Sequence, residues 1–178
     1  MGIRVEDFRD HIVIPTLTWL GRVIPFSPYA VNQLLGTAAQ ESHMGFYLDQ
    51  TSPGPGPGFG PYQMERDTYL DHCDWMIRYQ KALWEKYQQV RIPLGLHQEG
   101  ATEMQGNLYL ATFMTRVHYY RIRQLMPTNL RNQAEQWKKY YNTSQGRGTV
   151  EEYMRNYSTY VGAAGPFPAI MEAGLNHV

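Results

Sequence analysis

Residues 27–45 read SPYAVNQLLGTAAQESHMG, and their spacing decides the fold class. Ser27 followed by Pro28 is a helix opening: a hydroxyl to cap the first free N–H groups, then a residue whose φ is already helical and whose missing N–H is not needed there. Val31, Leu34, Leu35, Ala38 and Ala39 come next at i, i+3, i+4, i+7 and i+8, the pattern of a helix with one buried face. Gly45 is the expected stop. The same spacing recurs along the chain. Trp75, Tyr79, Ala82 and Leu83 predict a helix around Trp75–Gln89, and Leu110, Phe113, Met114 and Val117 predict another. Leu130, Ala134, Trp137 and Tyr141 follow at i, i+4, i+7 and i+11. Thr149, with Glu152 three residues on, forms a capping box ahead of Val150, Tyr153, Met154 and Tyr157. SPGPGPGFGP at 52–61 is too rich in Pro and Gly for a helix and reads as a loop, with room for a small hairpin between 46 and 64. Alternating strand patterns are otherwise absent. The expectation is an all-α chain forming a single domain over residues 1–178.

Composition narrows the function. The chain has 178 residues, with 16 Lys plus Arg against 16 Asp plus Glu, so its formal net charge is zero. A nucleic-acid binder of this size needs a basic excess to neutralise phosphate, so nucleic acid is not an expected partner. Hydrophobic residues make up 43% and charged residues 18%, enough apolar side chain for a real core. A single cysteine, Cys73, rules out an internal disulfide and a cysteine-based zinc site. The six histidines show no HExxH or i, i+4 pairing, so no metal is expected. Glu6, Asp7 and Asp10 interrupt the region where a signal peptide would need an apolar run. Residues 12–26 are too short, and too broken by Pro15, Arg22 and Pro25, to span a membrane.

Glu41 is the residue that does not suit its surroundings. It lies seven after Leu34 and three after Ala38, on the apolar face of the first helix and near its C-terminal end. Desolvation and the negative end of the helix dipole both disfavour its anion, raising the pKa as a general acid requires. The alternative is a helix-end glutamate that curls out to solvent.

Three short segments bear on that choice. Residues 38–45 read AAQESHMG, residues 58–64 read GFGPYQM, and residues 141–153 read YNTSQGRGTVEEY. In this order they resemble the three signatures of the lysozyme-like lytic transglycosylase family, which includes the goose-type lysozymes. The first resembles the Glu-Ser element, the second the Gly-x-x-Gln-Met element with Gly60, Gln63 and Met64 in place. The third resembles the Tyr-Asn-Ala-Gly-x-Gly-x-Val-x-x-Tyr element through Tyr141, Asn142, Gly148, Val150 and Tyr153. Asn107-Leu108 followed by Ala111 resembles the family's Asn-Ile-x-x-Gly helix. The resemblance covers about residues 28–160. It departs at Ala111, at Thr143 and Ser144 in place of Ala-Gly, and over residues 65–106, which are longer than the family needs.

The resemblance implies a lysozyme-like helical domain whose Pro/Gly-rich loop or hairpin borders a cleft. It implies cleavage of the MurNAc–GlcNAc bond of peptidoglycan glycan strands, with Glu41 and Tyr141 as catalytic residues. Ser42, Gly60, Gln63, Met64, Asn107 and Asn142 are then the substrate-binding candidates, with no cofactor. Such cleavage needs an acid for the leaving oxygen and stabilisation of an oxocarbenium-like centre. In the family mechanism the substrate's own N-acetyl group helps and one glutamate suffices, which fits the lack of a well-placed second carboxylate; Asp49 is the best candidate for one. Tyr141 is otherwise a core tyrosine, Gln63 a loop amide facing water and His43 an exposed residue near the cleft. The loop and QMERDT resemble phage and prophage proteins with this domain. That implies other phage virion proteins as partners, and a place in the virion or host cytoplasm with action on the periplasmic cell wall. The competing expectation is a phage structural or assembly protein that keeps the fold for saccharide binding and cleaves little.

Overall fold

The helix opened by Ser27 is the axis on which the rest is assembled. The computed structural model describes residues 2–49, 56–91, 100–142 and 146–162, and these are mostly helical. Three short helical pieces run on without a break at the start: α1 (Val5–Phe8), a π-helical turn (Arg9–Val13) and α2 (Ile14–Leu20). Pro15 explains the irregularity, since it cannot donate to the carbonyl of His11 four residues back. The Tyr109 hydroxyl donates to that freed carbonyl instead, at 3.0 Å.

Helix α3 (Pro28–Ser42) begins as its sequence dictates, with the Ala30 N–H reaching the Ser27 hydroxyl at 3.4 Å. It does not have one buried face, as the spacing predicted. Every residue from Ala30 to Ala39 is buried, because the π-helical turn, α6, α7 and α8 pack around it. A polar residue in such a helix needs a partner. The Asn32 amide donates to Gln133 Oε1 at 2.6 Å, and the Thr37 hydroxyl lies 2.8 Å from that of Tyr119. Gly36 has no side chain where the Tyr153 hydroxyl packs: a Cβ there would lie 2.1 Å from that oxygen.

After α3 comes an antiparallel hairpin, β1 (Gly58–Phe59) and β2 (Met64–Glu65), within the 46–64 stretch that left room for one. Asp49 bridges to Phe59 beside it; residues 50–55, which include the start of the Pro/Gly-rich stretch, lie outside the described residues. The helix expected around Trp75–Gln89 is two helices, α4 (Arg66–Tyr79) and α5 (Lys81–Val90), broken at Gln80. Its buried stripe is only partly the predicted one. Tyr69, His72 and Met76, then Leu83 and Tyr87, face inward, while Tyr79 is exposed and Trp75 lies under the Arg121 guanidinium at 5.0 Å. Of the predicted stripe, Leu83 and Trp75 keep to the core while Tyr79 and Ala82 face outward; the Trp75 ring also serves as a surface for a cation.

A 3₁₀ turn (Thr102–Gln105) leads into α6 (Leu108–Arg121), then α7 (Leu130–Tyr140) and α8 (Val150–Tyr160). The Thr149–Glu152 capping box is formed in full. Leu110, Phe113, Met114 and Val117 are all buried as predicted. One apolar cluster runs from Phe8 to Val161, so the first helical pieces and α8 share a core. Among the described residues, no helix is long and apolar enough to cross a membrane.

Candidate functional site around Glu41

Glu41 sits in the last turn of α3, half-buried. The helix stops at His43, two residues before the expected Gly45, and three successive residues turn left-handed: His43 (φ 51°), Met44 (φ 62°) and Gly45 (φ 75°). Two of these carry side chains, a conformation that costs each roughly 1–2 kcal/mol and is held by bonds to the helix end. The His43 and Met44 N–H groups donate to the carbonyls of Ala39 and Ala38. Ser42 is fully buried; its hydroxyl donates to the Pro61 carbonyl and accepts the Gly45 N–H at 2.7 Å. The chain therefore reverses directly after Glu41, and the hairpin turn is tied beside it.

The partner of Glu41 is Trp137 on α7, whose indole N–H donates to Glu41 Oε1 at 2.7 Å. Burial pushes the carboxyl up from 4.5 to about 7; the indole bond pulls it down, and Glu152 and Glu65 push it further up. A carboxyl with a pKa near 7 holds a proton at neutral pH and can also lose it.

Tyr141 follows Trp137 by one turn, so both reach the same region from one stripe of α7. Its hydroxyl donates to the Tyr62 carbonyl at 2.8 Å, not to Glu41. Its ring stacks on Tyr119 at 5.7 Å, and burial, then the nearby Glu41 carboxylate, raises its pKa well above 10. Gln63 is on the adjoining turn with φ 48°, its amide donating to the Gly60 carbonyl at 2.8 Å, so its side chain closes the turn. Gly60 is required there twice over: its φ is +71°, and a Cβ would lie 2.3 Å from the Met104 carbonyl oxygen.

The other candidates are placed as follows. Met64 is buried in the core. Asn107 caps α6 by accepting the Leu110 N–H at 3.0 Å and donates to the Val90 carbonyl and to Glu103, both at 2.9 Å; it is buried. Asn142 accepts from Lys138 Nζ at 2.8 Å, and the same ammonium donates to the Gly146 carbonyl. Thr143 and Ser144 lie outside the described residues. Asp49 is held by the Gln105 amide. His43 stacks on Tyr160 at 4.8 Å and touches Tyr47. The structure thus gathers Glu41, Tyr141, Gly60 and the Gln63 turn, while Ser42, Met64 and Asn107 act within the protein.

Sequence reasoning missed three residues here. Trp137 was read only as a core residue, although its place four before Tyr141 signals a shared face. Glu65 and Glu152, not Asp49, are the carboxylates whose field reaches Glu41. Two of the six histidines, unpaired in sequence, do pair in space. Arg121 can only donate, so His72 accepts at Nδ1, donates from Nε2 to His118 Nδ1 at 3.0 Å, and His118 Nε2 donates to the Tyr140 carbonyl at 2.9 Å. Every ring nitrogen in that chain is occupied, which leaves no lone pair for a metal. Grooves of about 470 and 710 Å³ lie along Gln124–Tyr140 and beside His72 and Arg121, and neither is lined by Glu41. The case for the site rests on the chemistry of the carboxyl group. No family model, curated protein or solved structure matches this chain.

Proposed function

We propose that the chain cleaves the MurNAc–GlcNAc bond of peptidoglycan with Glu41 as the single acid and base, as a phage-type lytic transglycosylase or lysozyme. The observation that carries this reading is a half-buried glutamate with a pKa of about 7, gripped by one indole N–H at the end of a buried helix. Protonated Glu41 gives its proton to the leaving oxygen as the glycosidic C–O bond breaks. The substrate's N-acetyl group meets the charge developing at the ring carbon. The carboxylate then takes a proton from water, giving a hydrolysed product, or from a hydroxyl of the same sugar, giving an intramolecular anhydro product. The exposed rings of Phe46 and Tyr47, on the turn that leaves α3, offer flat apolar faces for sugar rings. In this reading the protein works on the periplasmic wall from a virion or from the host cytoplasm.

A second reading, a phage assembly protein that binds saccharide and cleaves little, is favoured by one observation: the Tyr141 hydroxyl is engaged by Tyr62. Mass spectrometry of purified peptidoglycan after incubation with the protein separates the two. New reducing ends or anhydro termini, absent with Glu41→Gln, support cleavage; an unchanged glycan refutes it.

A further inference from the structure

Trp137 is fully buried, yet its one polar atom is turned toward an acid and not toward a backbone carbonyl. A phenylalanine would fill core space of similar kind; the N–H is what this position adds. From these contacts we infer that Trp137 is the positioning residue of Glu41, fixing the carboxylate in one orientation through its indole N–H. The inference rests on reading Glu41 as the acid.

The holder is itself rigid. One turn before Trp137, Gln133 clamps α7 onto α3: its side chain accepts from Asn32 at 2.6 Å and donates to the carbonyls of Tyr29 (3.0 Å) and Pro127 (2.9 Å). On its other side the indole meets the Tyr153 ring at 5.3 Å and the backbone of Gly148, where a Cβ would lie 2.5 Å from the ring. Gly148 and Tyr153 thereby gain a role: they leave the indole one place to sit. A donor held this firmly orients an acid without reorganising during the reaction. It also favours the anion against burial, so it bounds how strongly the acid holds its proton. Glu65, Glu152 and the hydroxyls of Tyr141, Tyr119 and Tyr153 are other titratable groups whose field meets that of Glu41 there.

The test reads the four indole N–H signals of the uniformly ¹⁵N-labelled protein from pH 4 to 9, in the wild type and in Glu41→Gln. We expect one indole signal to follow a single proton with its midpoint near pH 7 and to become flat in Glu41→Gln. Indoles that ignore pH, or a titration that persists without the acid, overturn the inference. This readout needs no glycan, so its failure is distinct from failure of the cleavage reading, which Glu41→Gln with wild-type turnover would refute. Trp137→Phe adds a second arm on glycan. Its alkaline limb should move up by about 1–2 pH units, the worth of a hydrogen bond to a charged group, with kcat falling about 10²-fold and KM little changed. An unshifted limb in the folded variant also overturns it; if the variant does not fold, the indole titration decides alone.

Discussion

Replacing Glu41 with Gln should make the protein more stable at neutral pH and no more stable in acid. Burial holds the folded-state pKa at about 7 against 4.5 for the free group. Below pH 4.5 the carboxyl is protonated in both states, and its titration contributes nothing to the difference between the two proteins. Between 4.5 and 7 the unfolded chain releases its proton and the folded chain keeps it, so wild-type stability declines as pH rises. Above 7 the loss is complete. A gap of 7 − 4.5 = 2.5 units, at about 1.36 kcal/mol per unit, is about 3 kcal/mol. Glutamine keeps an oxygen for the Trp137 N–H and has no charge to bury, so the variant escapes this loss. For a chain of this size about 3 kcal/mol corresponds to roughly 6–12 °C in Tm. Urea unfolding of both proteins at pH 4, 5.5 and 8 measures the difference directly, and the shared titration of His72 and His118 cancels in it. Glycan turnover by the variant should fall by at least about 10². A stability difference that stays flat from pH 4 to 8, or a variant less stable throughout, refutes the argument that Glu41 is held against its ionisation.

Burial lowers His72 to about 2 and His118 to about 4, so below pH 6.5 the unfolded chain takes up two protons that the folded chain refuses. In the Glu41→Gln background, where the opposing titration of that carboxyl is gone, stability should fall by about 3 kcal/mol per pH unit from pH 6 toward 4; adding His118→Gln should halve that slope in urea titrations, and an unchanged slope would exclude the pair as its source. Gly60→Ala puts a Cβ 2.3 Å from the Met104 carbonyl oxygen at a φ of +71°, so it should destabilise by about 2–4 kcal/mol, measured as a drop in the urea midpoint. Tyr141→Phe strips the Tyr62 carbonyl of its donor and should lower stability by about 1–3 kcal/mol; a thermal melt at pH 7 checks it. Arg116 is 7% exposed, has no hydrogen-bond or ion-pair partner among the described residues, and has its pKa lowered to about 10 by burial. Arg116→Met should therefore leave Tm unchanged or raise it, and a clear loss would reveal a partner for the guanidinium.

The sequence by itself determined what depends on neighbours along the chain. Ser27-Pro28 starts α3, Thr149 and Glu152 cap α8, and the apolar spacing of Leu110 to Val117 buries α6, because caps and helical periodicity are local properties. Glu41 stood out for the same reason, as an acid on an apolar stripe. What surrounds a helix is not local. Only the tertiary structure decided that α3 is buried on all sides, that Asn32 and Thr37 are matched by Gln133 and Tyr119, and that α4 and α5 part at Gln80. It also decided which of the residues that looked functional face the acid. Ser42 and Asn107 are taken up by bonds within the protein, whereas Trp137, 96 residues from Glu41, supplies its hydrogen bond. A side chain's pKa and its partner depend on whichever atoms surround it after packing, and helical spacing carries no record of them.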